Sequence, residues 1–130
     1  MKPFTLTSEL RDYMPLPRGV LELELPSTAL LLYATLLDRA TLSRRNGWAD
    51  AFGRVFVIYP VEKLAETLHI STSAVKRQMS ALEAAGLIRK DRPVGNSVSR
   101  IFLSVPEMSW QEVKDDPSDS TDLPPPTAQI

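Results

Sequence analysis

The chain has 130 residues, 43% of them apolar, with no cysteine, a single histidine and a formal net charge of −1. That length fits one domain with a modest core, and the apolar share excludes disorder of the whole chain. Lack of cysteine rules out a disulfide, a thiolate metal site or a cysteine nucleophile, and one imidazole is too few for a histidine metal site, so neither metal nor cofactor is expected.

Residues 1–9 lack the apolar centre of a secretory signal. The longest apolar run, residues 29–34, is far too short to span a bilayer. A soluble cytoplasmic protein of prokaryotic type, with no membrane partner, is the expectation. Residues 1–19 hold Pro3, Pro15, Pro17 and Gly19 and read as an extended N-terminal arm. Leu21-Glu22-Leu23-Glu24-Leu25 alternates as a short strand would, with a single helical turn as the competing reading. Ser27 is expected to cap the first helix, residues 28–44, with Leu31, Ala34, Leu37 and Leu42 as its buried stripe. After Asn46-Gly47, residues 48–49 and 54–59 read as strands around the turn 50–53. Asp50 at its first position and Gly53 at its fourth suit a type I hairpin turn. Apolar residues on both faces of the second strand, Val55, Val57 and Tyr59 against Phe56 and Ile58, point to burial on both sides.

Residues 60–103 carry the most information. Residues 60–68 form a short amphipathic helix with Val61, Leu64, Ala65 and Leu68 on one face. A turn at His69-Ile70-Ser71 leads directly into a second helix, residues 72–85, whose Val75, Met79 and Leu82 are spaced for burial and which Gly86 ends. Residues 87–90 and 99–103 then read as strands around a turn at Gly95-Asn96. Two helices joined by a short turn and followed by a basic hairpin are the layout that places a helix in a DNA major groove. The fold class is therefore α+β, a winged helix-turn-helix with an extra β-hairpin between the first helix and the helix-turn-helix. His69, in the turn, reads as a packing or capping residue.

With Val75, Met79 and Leu82 facing inward, Ser73, Lys76, Arg77 and Ser80 project outward. The helix start, capped by Ser71 and followed by Thr72 and Ser73, offers free amides to a phosphate. Lys76 or Arg77 can reach guanine, and Gln78 can read adenine if its side chain enters the groove. The wing supplies Arg89, Lys90, Arg92 and Arg100 beside a tip containing Asn96, suited to backbone or minor-groove contact. Arg44-Arg45-Asn46 either adds a phosphate contact or complements the helix dipole.

From Glu107 the composition turns to Asp, Ser, Thr and Pro, with six acids against Lys114. That segment carries −5, so residues 1–106 carry +4. Residues 71–102 also sum to +4, from six bases against Glu83 and Asp91. The positive charge of the folded part thus falls where a DNA face would lie. The expected organisation is an arm over 1–19, a winged-helix domain over 20–106, and an acidic linker or tail over 107–130, in which Trp110 can pin back onto the domain. No phosphate loop, catalytic triad or carboxylate pair is present, so no enzyme is expected.

The run Leu31-Leu32-Tyr33, Leu37-Asp38-Arg39, Leu42-Ser43, Asn46-Gly47-Trp48, Asp50 and Gly53-Arg54-Val55, continued by Val57 and Tyr59, closely resembles the N-terminal domain of the plasmid replication initiator A family (RepA_N). The match extends through Glu62, Leu64 and the recognition helix to Ile88, over about residues 25–103. The resemblance implies a winged helix that binds repeats in double-stranded DNA at a replication origin, commonly as a homodimer, and engages host replication proteins through a separate C-terminal domain. It makes Ser73, Lys76, Arg77 and the wing arginines DNA-contact candidates. One departure is Leu30, where the family often has lysine. With Leu21, Leu23 and Leu25 it forms either a dimer seam or more core. The chain also stops at Ile130 in linker-like sequence, as a fragment of a longer initiator or a short natural protein would. Two other readings stay open: a winged-helix transcriptional repressor, which shares the DNA chemistry, and a protein-docking winged helix, which expects an apolar patch in place of the basic face.

Overall fold

A computed structural model describes residues 1–92 and 98–107. The predicted wing tip, including Asn96, and the acidic segment beyond Glu107, including Trp110, lie outside the described residues. The first regular element is a 3-10 helix, Arg18–Leu23, in place of a strand at Leu21–Leu25. Pro17 presets the turn, and the Val20 amide donates to the Pro17 carbonyl at 3.1 Å. Val20 is fully buried, which leaves Leu21 and Leu23 facing out.

Helix α1 spans Ser27–Arg45. Ser27 is its first helical residue rather than its cap: Pro26, already extended at φ −57°, occupies the cap position with no side-chain bond. The buried stripe is also shifted in phase. Ala29, Leu32, Tyr33 and Leu36 enter the core and Ala34 is buried as expected, whereas Leu31 and Leu42 are exposed. A run as leucine-rich as 30–32 followed by 36–37 satisfies several helical phases, and packing picks one. Leu25, Leu30 and Leu37 lie against the core.

The predicted hairpin forms, but it is short. Gly53 donates to the Asp50 carbonyl at 3.0 Å, and the Asp50 carboxylate accepts from the amides of Phe52 and Arg54, each at 2.9 Å. Ala49 bridges Val55, and the strand proper, β1, is Phe56–Val57. Burial on both faces is not obtained. Val57 is buried, while Ile58 is 40% exposed, because β1 is an edge strand that ends before Pro60.

Helix α2, Val61–Leu68, and helix α3, Thr72–Ala84, form the helix-turn-helix. Strands β2, Ile88–Asp91, and β3, Arg100–Leu103, form the wing, and the sheet order is β1-β3-β2, antiparallel throughout. The core gathers Leu32, Tyr33 and Leu36 of α1, Leu64 of α2, Val75 and Leu82 of α3, with Val57 and Ile101 from the sheet. Tyr33 crosses this core to donate its hydroxyl to the Ser104 carbonyl at 2.8 Å. Burial pushes its phenol up to about 12. That bond fixes the chain leaving β3 against α1.

All three α-helices end in the same way. A left-handed residue follows the last turn, and its own amide and the next one donate back to helix carbonyls. At α1 the residue is Gly47, with the Trp48 amide reaching Ser43 at 2.9 Å. At α3 it is Gly86, with the Leu87 amide reaching Leu82 at 3.0 Å. At α2 it is His69, φ 57°, with the Ile70 amide on Ala65 at 3.1 Å. The histidine thus makes the turn of the helix-turn-helix by its backbone, as a capping residue would.

Candidate nucleic-acid interface

Helix α3 is placed by its apolar side. Val75, Met79 and Leu82 are buried against α1 and α2, and this sets the opposite face outward. Ser71 caps the helix, accepting the Ala74 amide at 3.0 Å. The next amides, at Thr72 and Ser73, have no carbonyl four residues back within the helix, so the positive end of α3 is presented beside two exposed hydroxyl side chains. Lys76 and Arg77 are exposed one turn further on, and among the described residues neither enters an ion pair. Ser80 is exposed, its hydroxyl donating to the Lys76 carbonyl at 3.2 Å. Gln78 is only partly exposed, on the flank of the helix. The outward face of α3 is thus polar and cationic, with no apolar patch of the kind a docking helix needs.

The wing cations have a different environment. Alternation along the strands puts Arg89 and Asp91 on one face with Arg100, Phe102 and Phe56, and Ile88 and Lys90 on the other with Ile101 and Val57. On the outer face Arg100 grips Asp91 through two bonds of 3.0 Å and lies over the rings of Phe56 and Phe102, 5.4 and 5.3 Å from their centres. The Arg100 hydrogen bonds hold the Asp91 carboxyl below the usual carboxylate range, and Asp91 in turn raises Arg100. Arg89 sits 4.6 Å over Phe102 and 3.9 Å from Asp91. Lys90, on the inner face, reaches Glu83 of α3 at 3.5 Å and ties the wing to the recognition helix. Arg92, at the end of the described wing, is exposed and donates to the Ser99 hydroxyl at 3.4 Å.

The structure therefore brings Ser71, Thr72, Ser73, Lys76, Arg77 and Ser80 onto one open face. It separates from them Arg89, Lys90 and Arg100, which have partners within the fold. One feature was missed in the sequence. Arg54, held by Asp50 at 2.8 Å, joins Arg89 and Arg100 around Phe102, with Trp48 stacked on Phe56 at 6.5 Å. The cluster depends on the register that sets Asp91 opposite Arg100 and Arg89 opposite Phe102, and strand alternation by itself does not fix that register. Among the described residues there is no cluster of acids and histidine able to hold a metal, and no helix long and apolar enough to cross a membrane.

Comparison with known proteins agrees with this architecture. The structure of an MDR initiator superposes with a TM-score of 0.62 at 24% identity, covering 85% of this chain and 87% of that one. A Rep–DNA complex gives 0.63 at 25% identity over 88% and 91% of the two chains. The N-terminal domain of a DNA-binding protein gives 0.62 at 24% identity over 96% and 99%. No curated protein matches the chain. Residues 22–115 match the family described as replication initiator protein A (RepA) N-terminus, and since that match spans most of the sequence, the chain belongs to this family of replication initiator domains.

Proposed function

We propose that the domain binds double-stranded DNA sequence-specifically at a plasmid-type replication origin, laying α3 in the major groove over each repeat. The observation that carries this reading is the face of α3: a capped amino end, exposed Thr72 and Ser73, and two cations, Lys76 and Arg77, without acidic partners among the described residues. Family membership and the likeness to a Rep–DNA complex support it. Thr72 and Ser73 fit a phosphate, which fixes register, while Lys76 and Arg77 fit base edges, which read sequence. Arg92 extends the contact along the flanking backbone. The domain acts by binding rather than catalysis, as a homodimer on paired repeats, and host replication proteins engage a separate C-terminal domain.

The test is fluorescence anisotropy of the purified chain on repeat-containing DNA from its own replicon, against scrambled duplex, across about 50–200 mM salt. Preference for the repeats that survives the higher salt is the expected result. Equal or absent binding on both duplexes would overturn the reading in favour of a docking module.

A further inference from the structure

The sheet face that carries Phe102 bears rings and arginines that the duplex reading leaves unused. Trp48 stacks on Phe56 with ring centres 6.5 Å apart, and Phe56 meets Phe102 edge-on at 6.0 Å. Phe102 is buried, but Trp48 is 47% exposed and Phe52, in the hairpin turn, is 83% exposed. That turn is held in place. The Asp50 carboxylate accepts from the amides of Phe52 and Arg54 and from the Arg54 guanidinium, the last at 2.8 Å. Arg54 in turn lies 5.1 Å over the Phe52 ring. Neither Trp48 nor Phe52 belongs to the buried core, so the free domain keeps two large rings in water.

A groove of about 730 Å³ runs beside these rings. Leu37, Ala40 and Leu103 contribute apolar lining, and Arg44, Arg54 and Arg89 bring three cations to it. Arg44 is exposed and enters no ion pair among the described residues. Glu83 also lines the groove, and that acid is engaged by Lys90 at 3.5 Å.

We propose that this surface binds single-stranded DNA, with bases stacked on Trp48 and Phe52 and phosphates passing along the groove at Arg44. Arg54 and Arg89 keep their acids and rings and add charge with the half of each side chain left exposed. Exposed rings beside a cationic groove are the two elements that hold a single strand, and the binding tolerates any sequence because every base has a face to stack. Other occupants fit less well. The bases of a duplex cover one another's faces and leave none for a ring. An acidic peptide would use the cations and leave the rings without a partner. A purely apolar partner would have to bury Arg54 where it lies over Phe52.

The surface is distinct from the reading face of α3. Arg89 and Phe102 lie on the sheet face opposite to Lys90, the wing residue that reaches α3. The groove meets α3 only toward its carboxyl end, at Glu83. One domain can therefore hold a duplex on α3 and a single strand on the sheet together. Trp48, Phe52 and Arg44 take no part in the duplex reading, so the two can fail separately.

The test uses a Trp110→Phe form of the full chain, in which Trp48 is the sole tryptophan. It is titrated at about 50 mM salt with oligothymidylate of about 15 nucleotides, and with an abasic sugar–phosphate strand of equal length. Oligothymidylate is expected to bind and quench Trp48, with the abasic strand about tenfold weaker. Phe52→Ala, which removes a ring outside the core, should weaken oligothymidylate about tenfold and leave repeat-duplex affinity unchanged. Equal binding of the abasic strand overturns the stacking. Loss of oligothymidylate in Lys76→Ala/Arg77→Ala, with Phe52→Ala unaffected, places the strand on α3 and overturns the proposal. So does release of labelled repeat duplex by an equimolar amount of oligothymidylate. A chain that prefers repeat duplex but binds no oligothymidylate overturns this inference alone. A chain that binds oligothymidylate with quenching yet shows no duplex preference overturns the duplex reading and leaves this one standing.

Discussion

Helix α3 carries two cations, Lys76 and Arg77, and the wing carries Arg89, Lys90, Arg92 and Arg100, yet the two regions use their charge in opposite ways. On α3, Lys76 and Arg77 have no acidic partner among the described residues, and their face is otherwise small and polar. In the wing, Arg100 is clamped by Asp91, Arg89 rests on Phe102, and Lys90 spans to Glu83. A cation that must meet DNA gives up its water there, and one already paired inside the fold would also have to give up its partner. The difference teaches that charge counted along a chain overstates charge available to a ligand. The wing cations hold the sheet and orient α3, while the α3 cations remain free to read.

The sharpest way to break that comparison is to remove the ring at the centre of the wing. Phe102 is 7% exposed and carries Arg54, Arg89 and Arg100 around its faces. Phe102→Ala is expected to cost about 3–5 kcal/mol of stability, measured by denaturant unfolding, while protein still folded at low temperature keeps its preference for repeat DNA. The α3 cations should show the reverse. Lys76→Ala and Arg77→Ala are each expected to lose about 1–3 kcal/mol of binding to the specific site, with the unfolding midpoint unmoved. An equal loss on random DNA, with the salt slope reduced by about 1 per residue, would demote them to phosphate contacts. If Arg100→Ala weakens specific binding as much as Lys76→Ala does, the two regions are not distinct in the way argued above.

The helix-turn-helix was legible because its signals are local. Ser71, Gly86 and the spacing of Val75, Met79 and Leu82 each act within one or two turns, and all appear in α3 as read. The phase of α1 was not legible. Leu31 and Leu42 look as buried as Leu32 and Leu36 until α2, α3 and the sheet choose a face. Of the two readings open for Leu21–Leu25, the helical turn is the one that forms, since five alternating residues suit either and the burial of Val20 decides. In the candidate site, the α3 residues were found by helical geometry alone, whereas the clamping of the wing cations depends on the register of β2 against β3, a contact between distant segments. The family resemblance supplied the architecture but not that register.

The turn between the helices gives a smaller effect. His69 takes the left-handed position that Gly47 and Gly86 occupy elsewhere. A β-branched side chain there is strained, so His69→Val should cost about 1–2 kcal/mol. His69→Gly trades relief of strain against a more flexible unfolded chain, and should stay within about 1 kcal/mol of wild type. Because the turn sets the angle of α3, His69→Val should also weaken repeat binding in the protein that remains folded. Unchanged affinity would mean that α2 and α3 hold their angle through the core alone.

The smallest effect tests the wing clamp through pH. The carboxyl of Asp91 is held below its ordinary value, first by the Arg100 hydrogen bonds and then by the nearby arginine charges. A carboxylate whose pKa is lower folded than unfolded stabilises the fold above the unfolded value, about 3.9. That contribution is lost as pH falls through the folded value. Wild type should therefore exceed Asp91→Asn in stability at neutral pH by a modest margin, both side chains of the pair being partly exposed. The margin should shrink once the pH drops below about 4. Releasing Arg100 and Arg89 also raises the net charge of the outer sheet face, so Asp91→Asn should bind random duplex a few-fold more tightly at low salt. Specific binding should gain no more than random binding does, because the released arginines lie on the sheet face opposite to Lys90, the wing residue that reaches α3. A gain confined to the repeat sequence would instead show that Asp91 restrains cations able to reach the bases, and would move the wing arginines from scaffold to reading surface.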